Sequence, residues 1–216
     1  MHPSQAPQRG AARFDAAIEG GNELEIAALF VDLRESTRLA TNRLPYDALF
    51  LFDRYIQAVT AAVRQNSGHV TSVAGDGVMS VFGAEGDIAN AARGAWNAAL
   101  QIWSALDALN RELAGELGEP LRVGMGLHLG VAVVGLIGSA EDRSLQFLGD
   151  AGNVAAKLEE QTKPLGCILV ASTAALARIA LPTAGLETAV VSIAGRDVPV
   201  AVFRQQSELQ RLVAPV

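Results

Sequence analysis

Residues 73–80 read VAGDGVMS: a carboxylate, Asp76, stands between two glycines with apolar residues on either side. Gly and Asp between two apolar runs form a favoured hairpin tip, so the stretch predicts strands over 69–74 and 77–82. A hairpin does not need an acid at its tip. The acid becomes informative when a second carboxylate can share a ligand with it. Asp32, near the end of the apolar run IAALFVDL (26–33), is that second carboxylate.

The pattern outward from these two acids sets the fold class. Pro45 suits the first turn of a helix, and Leu49, Phe52, Ile56, Val59 and Val63 recur at spacings of three and four up to Gly68. Asp87 is placed to N-cap a second long helix, whose face includes Ile88, Ala91, Ala95, Ala98, Ile102 and Leu109. Its alanines imply close packing on a sheet. Val123, Met125, Leu127 and Leu129 then alternate with Arg122, Gly124, Gly126 and His128, which predicts a strand. The order β-α-β-β-α-β is the ferredoxin-like arrangement, with both helices on one face of an antiparallel sheet. VAVVGLIG (131–138), the polar tip SAEDRS, LQFLG (145–149), a short helix from about Asn153 to Gln161, a strand CILVA, a helix over 172–180 and a C-terminal hairpin extend it. The fold class is α+β: a ferredoxin-like βαββαβ core, extended, with helices packed on a mostly antiparallel sheet. The domain is expected over 23–206, with a flexible lead-in at 1–22 and a tail at 207–216.

Composition narrows the function classes. The 216 residues are 50% hydrophobic and 19% charged, with a net charge of −6, enough apolar residue for a sizeable core. An acidic chain lacks the basic face of a nucleic-acid binder, so no nucleic-acid partner is expected. The single cysteine, Cys167, excludes an intrachain disulfide framework and a zinc–thiolate cluster, and fits a cytoplasmic setting. No run of about 18 apolar residues is present, and the first residues, MHPSQAPQRG, do not resemble a signal peptide. A membrane or regulatory domain in a longer parent chain remains compatible with that N-terminus.

In a ferredoxin-like sheet the first strand lies beside the hairpin, so Asp32 and Asp76 are expected at one edge. Two facing carboxylates repel unless a cation or a proton lies between them. Mg²⁺ is commonly held by one or two carboxylates together with substrate phosphates, and a pair of metals suits an in-line displacement at phosphorus. Residues 33–38, Ser36 and Thr37 among them, precede the first helix and offer backbone N–H groups to phosphates.

Three blocks, FVDLRESTRLA, HVTSVAGDGVMSVFG and VGMGLHLGVAVVGLIGSAEDRSLQFLGDAGNVAAKLE, together resemble the catalytic domain of class III adenylate/guanylate cyclases. The resemblance runs from about Ile26 to Phe203. It implies two divalent ions, Mg²⁺ or Mn²⁺, on Asp32 and Asp76, with the backbone carbonyl of Leu33 as a further ligand. It implies that Asn153 positions the ribose and that the protein is a head-to-tail homodimer, each site drawing metals from one chain and its asparagine from the other. It implies conversion of a nucleoside triphosphate, ATP preferred, to a 3′,5′-cyclic nucleotide and pyrophosphate.

The departures are specific. Lys157 stands where the family usually has arginine, keeping the charge but losing the bidentate fork. The adenine-reading lysine and its aspartate or threonine partner are replaced by Ser72 and Gln146. Glu35 and Ser36 replace a glycine and a phenylalanine in the phosphate loop, and Ala194 replaces a phosphate-binding lysine, with Arg196 close by. These departures keep a guanylate or dual-specificity cyclase open, and also a pseudo-cyclase that binds nucleotide and dimerises. A diguanylate cyclase lacks support, because the hairpin tip reads AGDGV. Taken singly, Asp32 and Asn153 also suit helix caps, Lys157 a solvated helix face, His128 a packing role, and Trp96 and Trp103 core or dimer surface.

Overall fold

The computed structural model describes residues 21–84, 87–139, 141–205 and 207–208. The lead-in up to residue 20 and the tail from 209 lie outside the described residues. Eight strands form one sheet: β1 (Asn22–Leu33), β2 (Gly68–Ala74), β3 (Gly77–Phe82), β4 (Val123–Ser139), β5 (Asp142–Leu148), β6 (Leu169–Ser172), β7 (Glu187–Ile193) and β8 (Arg196–Phe203). The helices are α1 (Ser36–Thr41), α2 (Pro45–Gln65), α3 (Ile88–Glu112), α4 (Ala114–Leu117), α5 (Asp150–Leu165) and α6 (Thr173–Arg178). Strand order is β2-β3-β1-β4-β6-β8-β7, with β5 also paired to β4. The first four positions reproduce the expected ferredoxin-like core. All pairings are antiparallel except β4 with β6.

The sheet has two covered faces, and period-two alternation assigns residues to each. Ala27, Leu29, Val31 and Leu33 of β1 meet α2 and α3 in the main core, together with Met125, Leu127 and Phe203. Trp96 of α3 is buried there, with its ring edge-on to Phe203 at 5.3 Å. Alanines 91, 95, 98 and 99 let α3 lie close on the strands, as its composition implies. The buried stripe of α2 runs Ala48, Leu51, Tyr55, Val59, Ala62 and Val63. It is rotated from the expected one: Phe52 and Ile56 only flank it, and Leu49 is exposed. Two apolar stripes lie side by side on this helix, and periodicity alone does not choose between them. Asp87 caps α3 as expected, accepting from the Asn90 amide at 3.1 Å.

The opposite face carries α5. It is longer than the expected 153–161, because Gly149 precedes the first turn and Pro164 is absorbed within the last one before Gly166, at φ 60, closes it. Ala151, Val154, Ala155 and Leu158 pack on Ile26, Ala28, Val170 and Val200. The even positions of β4, Gly124, Gly126 and Gly130, make this close approach possible. A Cβ on Gly126 would overlap the carbonyl oxygen of Ala155, and one on Gly124 would overlap the Arg34 guanidinium. Strand β4 is also one continuous element, where two shorter segments were expected.

Gly126→Ala therefore presses α5 off the sheet. We expect it to cost more than about 2 kcal/mol by urea denaturation. Gly115→Ala, at a position where an added Cβ meets nothing within 4 Å, should change stability by less than about 1 kcal/mol.

Candidate active site

The ladder brings the two acids together. Asp32 lies opposite Gly77 across the β1–β3 pairing, and Asp76 is the residue before it in the β2–β3 turn. Gly75 takes φ 64 at the first central position of that two-residue turn, a conformation glycine adopts without strain. GDG is therefore a hairpin tip, and it sits beside Asp32. Tyr55, fully buried on α2, donates its hydroxyl to the Asp76 carbonyl at 3.0 Å and ties the tip to the main core. Burial first, then the charges of Asp32 and Asp76, push the Tyr55 hydroxyl well above its ordinary range, so it stays protonated as a donor.

The carboxyl of Asp32 lies above the ordinary carboxylate range. Burial is the main cause, followed by the charge of Asp76, and a hydrogen bond with Asp76 adds to it; Lys163 and Arg34 pull the other way. Both cations come from places that the sequence reading did not weigh. Lys163, on the last turn of α5, places Nζ 3.8 Å from Asp32 Oδ2. Arg34 approaches Glu159 of α5 at 3.0 Å, with both side chains largely buried. The pair is a charge contact: neither Arg34 terminal nitrogen nor Glu159 Oε1 has an aligned hydrogen-bond partner. Burial pushes the Glu159 carboxyl up, and Arg34 opposes that. The signal that could have found these residues is the α5 period, since Glu159 and Lys163 are four apart on the face that covers β4.

Two hard carboxylate oxygen donors in contact and partly buried form a donor set that fits Mg²⁺ or Mn²⁺ completed by phosphate oxygens. Among the described residues no group of three or more His, Cys, Asp or Glu is arranged to hold a metal alone. Leu33 is buried by its side chain in the main core. Glu35 takes the left-handed conformation, φ 57, at the start of α1, the position where the resemblance implies a glycine. It is held by Arg38 at 3.1 Å and Arg122 at 2.9 Å. Ser36 and Thr37 form the first turn of α1 behind it.

The other expected site residues gather elsewhere. Gln146 of β5 donates Nε2 to the Thr71 carbonyl at 2.9 Å, beside Ser72 on the edge strand β2, where the register shifts between Val70 and Ser72. Ser72 and Gln146 are thus neighbours. Asn153 does not cap α5, which begins at Asp150; it is exposed on the second turn. Lys157 is exposed one turn further along, paired with Glu160 at 2.8 Å. Arg196, at the start of β8, is paired with Asp150. Asn153 is ten residues from Lys163 on one helix, about 15 Å at the helical rise. Asp32 and Asp76, beside the C-terminal end of α5, therefore lie far from Asn153 and do not meet it within one chain.

His128 faces the α5 side of β4 with Nδ1 buried and unpartnered, in accord with its packing reading. Cys167 is likewise buried in the packing between the sheet and α5.

Asp32 near the end of β1 and Asp76 at the adjoining hairpin tip thus stand side by side on an extended ferredoxin-like sheet. Residues 20–194 match the family model of the adenylate and guanylate cyclase catalytic domain, and the chain belongs to that family. Adenylate cyclase 1 of Rhizobium meliloti is 29% identical over 154 residues, covering 71% of this chain and 23% of that protein. The adenylate cyclase of Anabaena cylindrica is 28% identical over 202 residues, covering 87% of this chain and 39% of that protein. The chain thus spans less than half the length of either relative. The crystal structure of the guanylyl cyclase Cya2 shares the fold, with a TM-score of 0.73 at 23% identity over 84% of this chain and 92% of that one. No helix among the described residues is long and apolar enough to cross a membrane.

His128 supplies a pH prediction. Burial, then the Arg196 charge, lowers its pKa from 6.5 to about 4. The unfolded chain takes up a proton near 6.5 and the folded chain only near 4, so the contribution is present above 6.5 and is lost as pH falls toward 4. The loss should reach about 3 kcal/mol. NMR titration of the imidazole should show no midpoint above pH 6, and His128→Gln should flatten the stability profile between pH 6.5 and 4.

Proposed function

We propose that the chain is a nucleotidyl cyclase that converts ATP to 3′,5′-cyclic AMP and pyrophosphate at the interface of a head-to-tail homodimer. The 3′-hydroxyl attacks the α-phosphorus, the bond to the β-phosphate oxygen breaks, and pyrophosphate leaves. The observation that carries the reading is the contact of Asp32 with Asp76 at a strand end, with Asn153 on the far end of α5. Asp32 and Asp76, with the Leu33 carbonyl, would hold two divalent ions, which when bound supply Lewis acidity to the attacking hydroxyl and neutralise the triphosphate. The remaining work falls to the chain's own groups. Asn153 from the partner chain orients the ribose by hydrogen bonding. Lys157 leaves Glu160 to offset charge on the phosphates, and the 33–38 turn with Ser36 and Thr37 receives them. Arg196 reaches phosphate only by leaving Asp150.

Dimerisation is supported by exposed apolar side chains on the β4–β5 arm, Val131, Val133, Ile137 and Leu148, which one chain leaves uncovered. The cytoplasmic setting read from composition remains part of the proposal, as does a regulatory or membrane domain in a longer parent chain. A second reading, a pseudo-cyclase, is favoured by one specific feature: Lys157 and Arg196 are both engaged by acids of their own chain.

Base choice rests on Ser72 and Gln146. The Gln146 amide nitrogen is committed to the Thr71 carbonyl, which leaves its oxygen as an acceptor. That oxygen suits the adenine N6 amino group and equally the guanine N1–H, while the Ser72 hydroxyl rotates to donate or accept. A site that satisfies both bases rejects neither strongly. ATP is preferred on the family resemblance alone, and these two residues hold the preference over GTP to only about tenfold in kcat/KM, or ~1.4 kcal/mol.

The test is chromatographic product analysis with ATP and GTP, each with Mg²⁺ and Mn²⁺. Cyclic product from both nucleotides, more with Mn²⁺, abolished in Asp32→Ala and Asp76→Ala with the fold retained, is the expected result. Absence of cyclic product under every condition would establish the pseudo-cyclase instead. Exclusion of GTP by about a thousandfold would remove Ser72 and Gln146 as the base readers.

A further inference from the structure

Lys163 stands beside the metal acids and has no role in the scheme above. Its Nζ is 3.8 Å from Asp32 Oδ2, and its side chain is 59% exposed against 19% for Asp32. Its backbone is fixed, because the Lys163 carbonyl accepts from the amide of Gly166, the left-handed cap of α5, and Thr162 before it is buried. The ammonium is thus delivered to Asp32 by a rigid helix end on a flexible stem.

The charges around Asp32 explain why a cation belongs there. Asp76 and Glu159 repel the Asp32 carboxylate, while Arg34 and Lys163 attract it. Arg34 is not free to leave: it is 13% exposed and lies against a Glu159 carboxylate that is 3% exposed. Removing either member would strand a buried charge. Lys163 has no such restraint. A cavity of about 420 Å³ opens beside it, lined also by Trp103, Glu35, Arg34 and Arg122, and the exposed Lys163 stem has solvent to withdraw into.

We propose that Lys163 is a tethered counter-ion of the two-acid site, offsetting the Asp32 charge before metal arrives and displaced when a divalent ion binds, so that it sets the metal concentration the domain requires. The proposal rests on the metal-site reading of Asp32 and Asp76. Lysine suits the task because it is a compact point charge on a mobile stem, with no planar fork to lock it onto the carboxylate. Its cost to metal binding is that of a partly exposed ion pair, a few-fold in affinity.

The experiment is titration of the metal-free full chain with Mn²⁺ alone, followed by loss of the free-ion electron paramagnetic resonance signal. Lys163→Met should bind Mn²⁺ about two- to fivefold more tightly than the wild type, and Lys163→Glu more tightly still. Arg178→Gln is the net-charge control: Arg178 pairs with Glu25, seven residues from Asp32 along β1, roughly 23 Å away. It should leave the affinity unchanged. Asp32→Asn separates the two levels of the argument. If wild-type binding is lost in Asp32→Asn but Lys163→Met binds no more tightly than the wild type, the counter-ion proposal is overturned and the metal site stands. Equal tightening in Arg178→Gln also overturns it, as a general charge effect. If the wild type shows no Asp32-dependent Mn²⁺ binding, the metal-site reading fails and the proposal with it.

Discussion

Asp32 sits opposite Gly77, one residue past Asp76, so the antiparallel ladder sets the backbones of the two acids side by side. The rest of the site follows from that enforced contact. Like charges at such range must share a proton or recruit a cation. The chain supplies two cations from different elements, Arg34 just after β1 and Lys163 from the end of α5, and keeps the first neutralised by Glu159. The Tyr55 hydroxyl holds the hairpin tip from the other face of the sheet, so the acids are backed by the main core. An arrangement this constrained is costly to maintain without a ligand of opposite charge, which is the physical basis for reading it as a metal site.

The second organising element is α5. Its glycine-lined bed on β4 brings it to within backbone contact of the sheet, and it then acts as a rod of about 24 Å. Glu159 and Lys163 at one end serve the chain's own acids. Asn153 and Lys157 toward the other end face solvent. Asn153, to which the proposal gives the orienting of substrate, is exposed about 15 Å along the helix from Lys163, and the exposed apolar row on the β4–β5 arm is the surface the proposal gives to a second chain. In the proposed dimer each site would then draw on both copies of α5.

Much of this was legible in the amino-acid order. The βαββαβ core, the Asp87 cap, the close-packed alanines of α3 and the approach of Asp32 to Asp76 all follow from local periodicity and turn chemistry. What was not legible depended on distance or on competing patterns. The α2 stripe was misplaced because Leu49, Phe52 and Ile56 imitate the buried face. Helix α5 was read too short because Pro164 is a stop signal that the last helical turn tolerates. Arg34, Glu159 and Lys163 were missed because no local pattern marks an ion pair that forms only when a helix crosses to the far face of the sheet. The commitment of the Gln146 amide to the Thr71 carbonyl is a contact of the same kind.

The central claim, that each site is assembled from the acids of one chain and the asparagine of another, is tested most directly by mixing two inactive variants. Asp76→Ala and Asn153→Ala homodimers each lack an essential group in both sites. In a heterodimer one site has both groups intact and the other neither. The account predicts that cyclic-nucleotide formation returns on mixing, to at most about a quarter of the wild-type rate per chain for random exchange at equal concentrations. A mixture that stays inactive while mass spectrometry shows heterodimers present would contradict it.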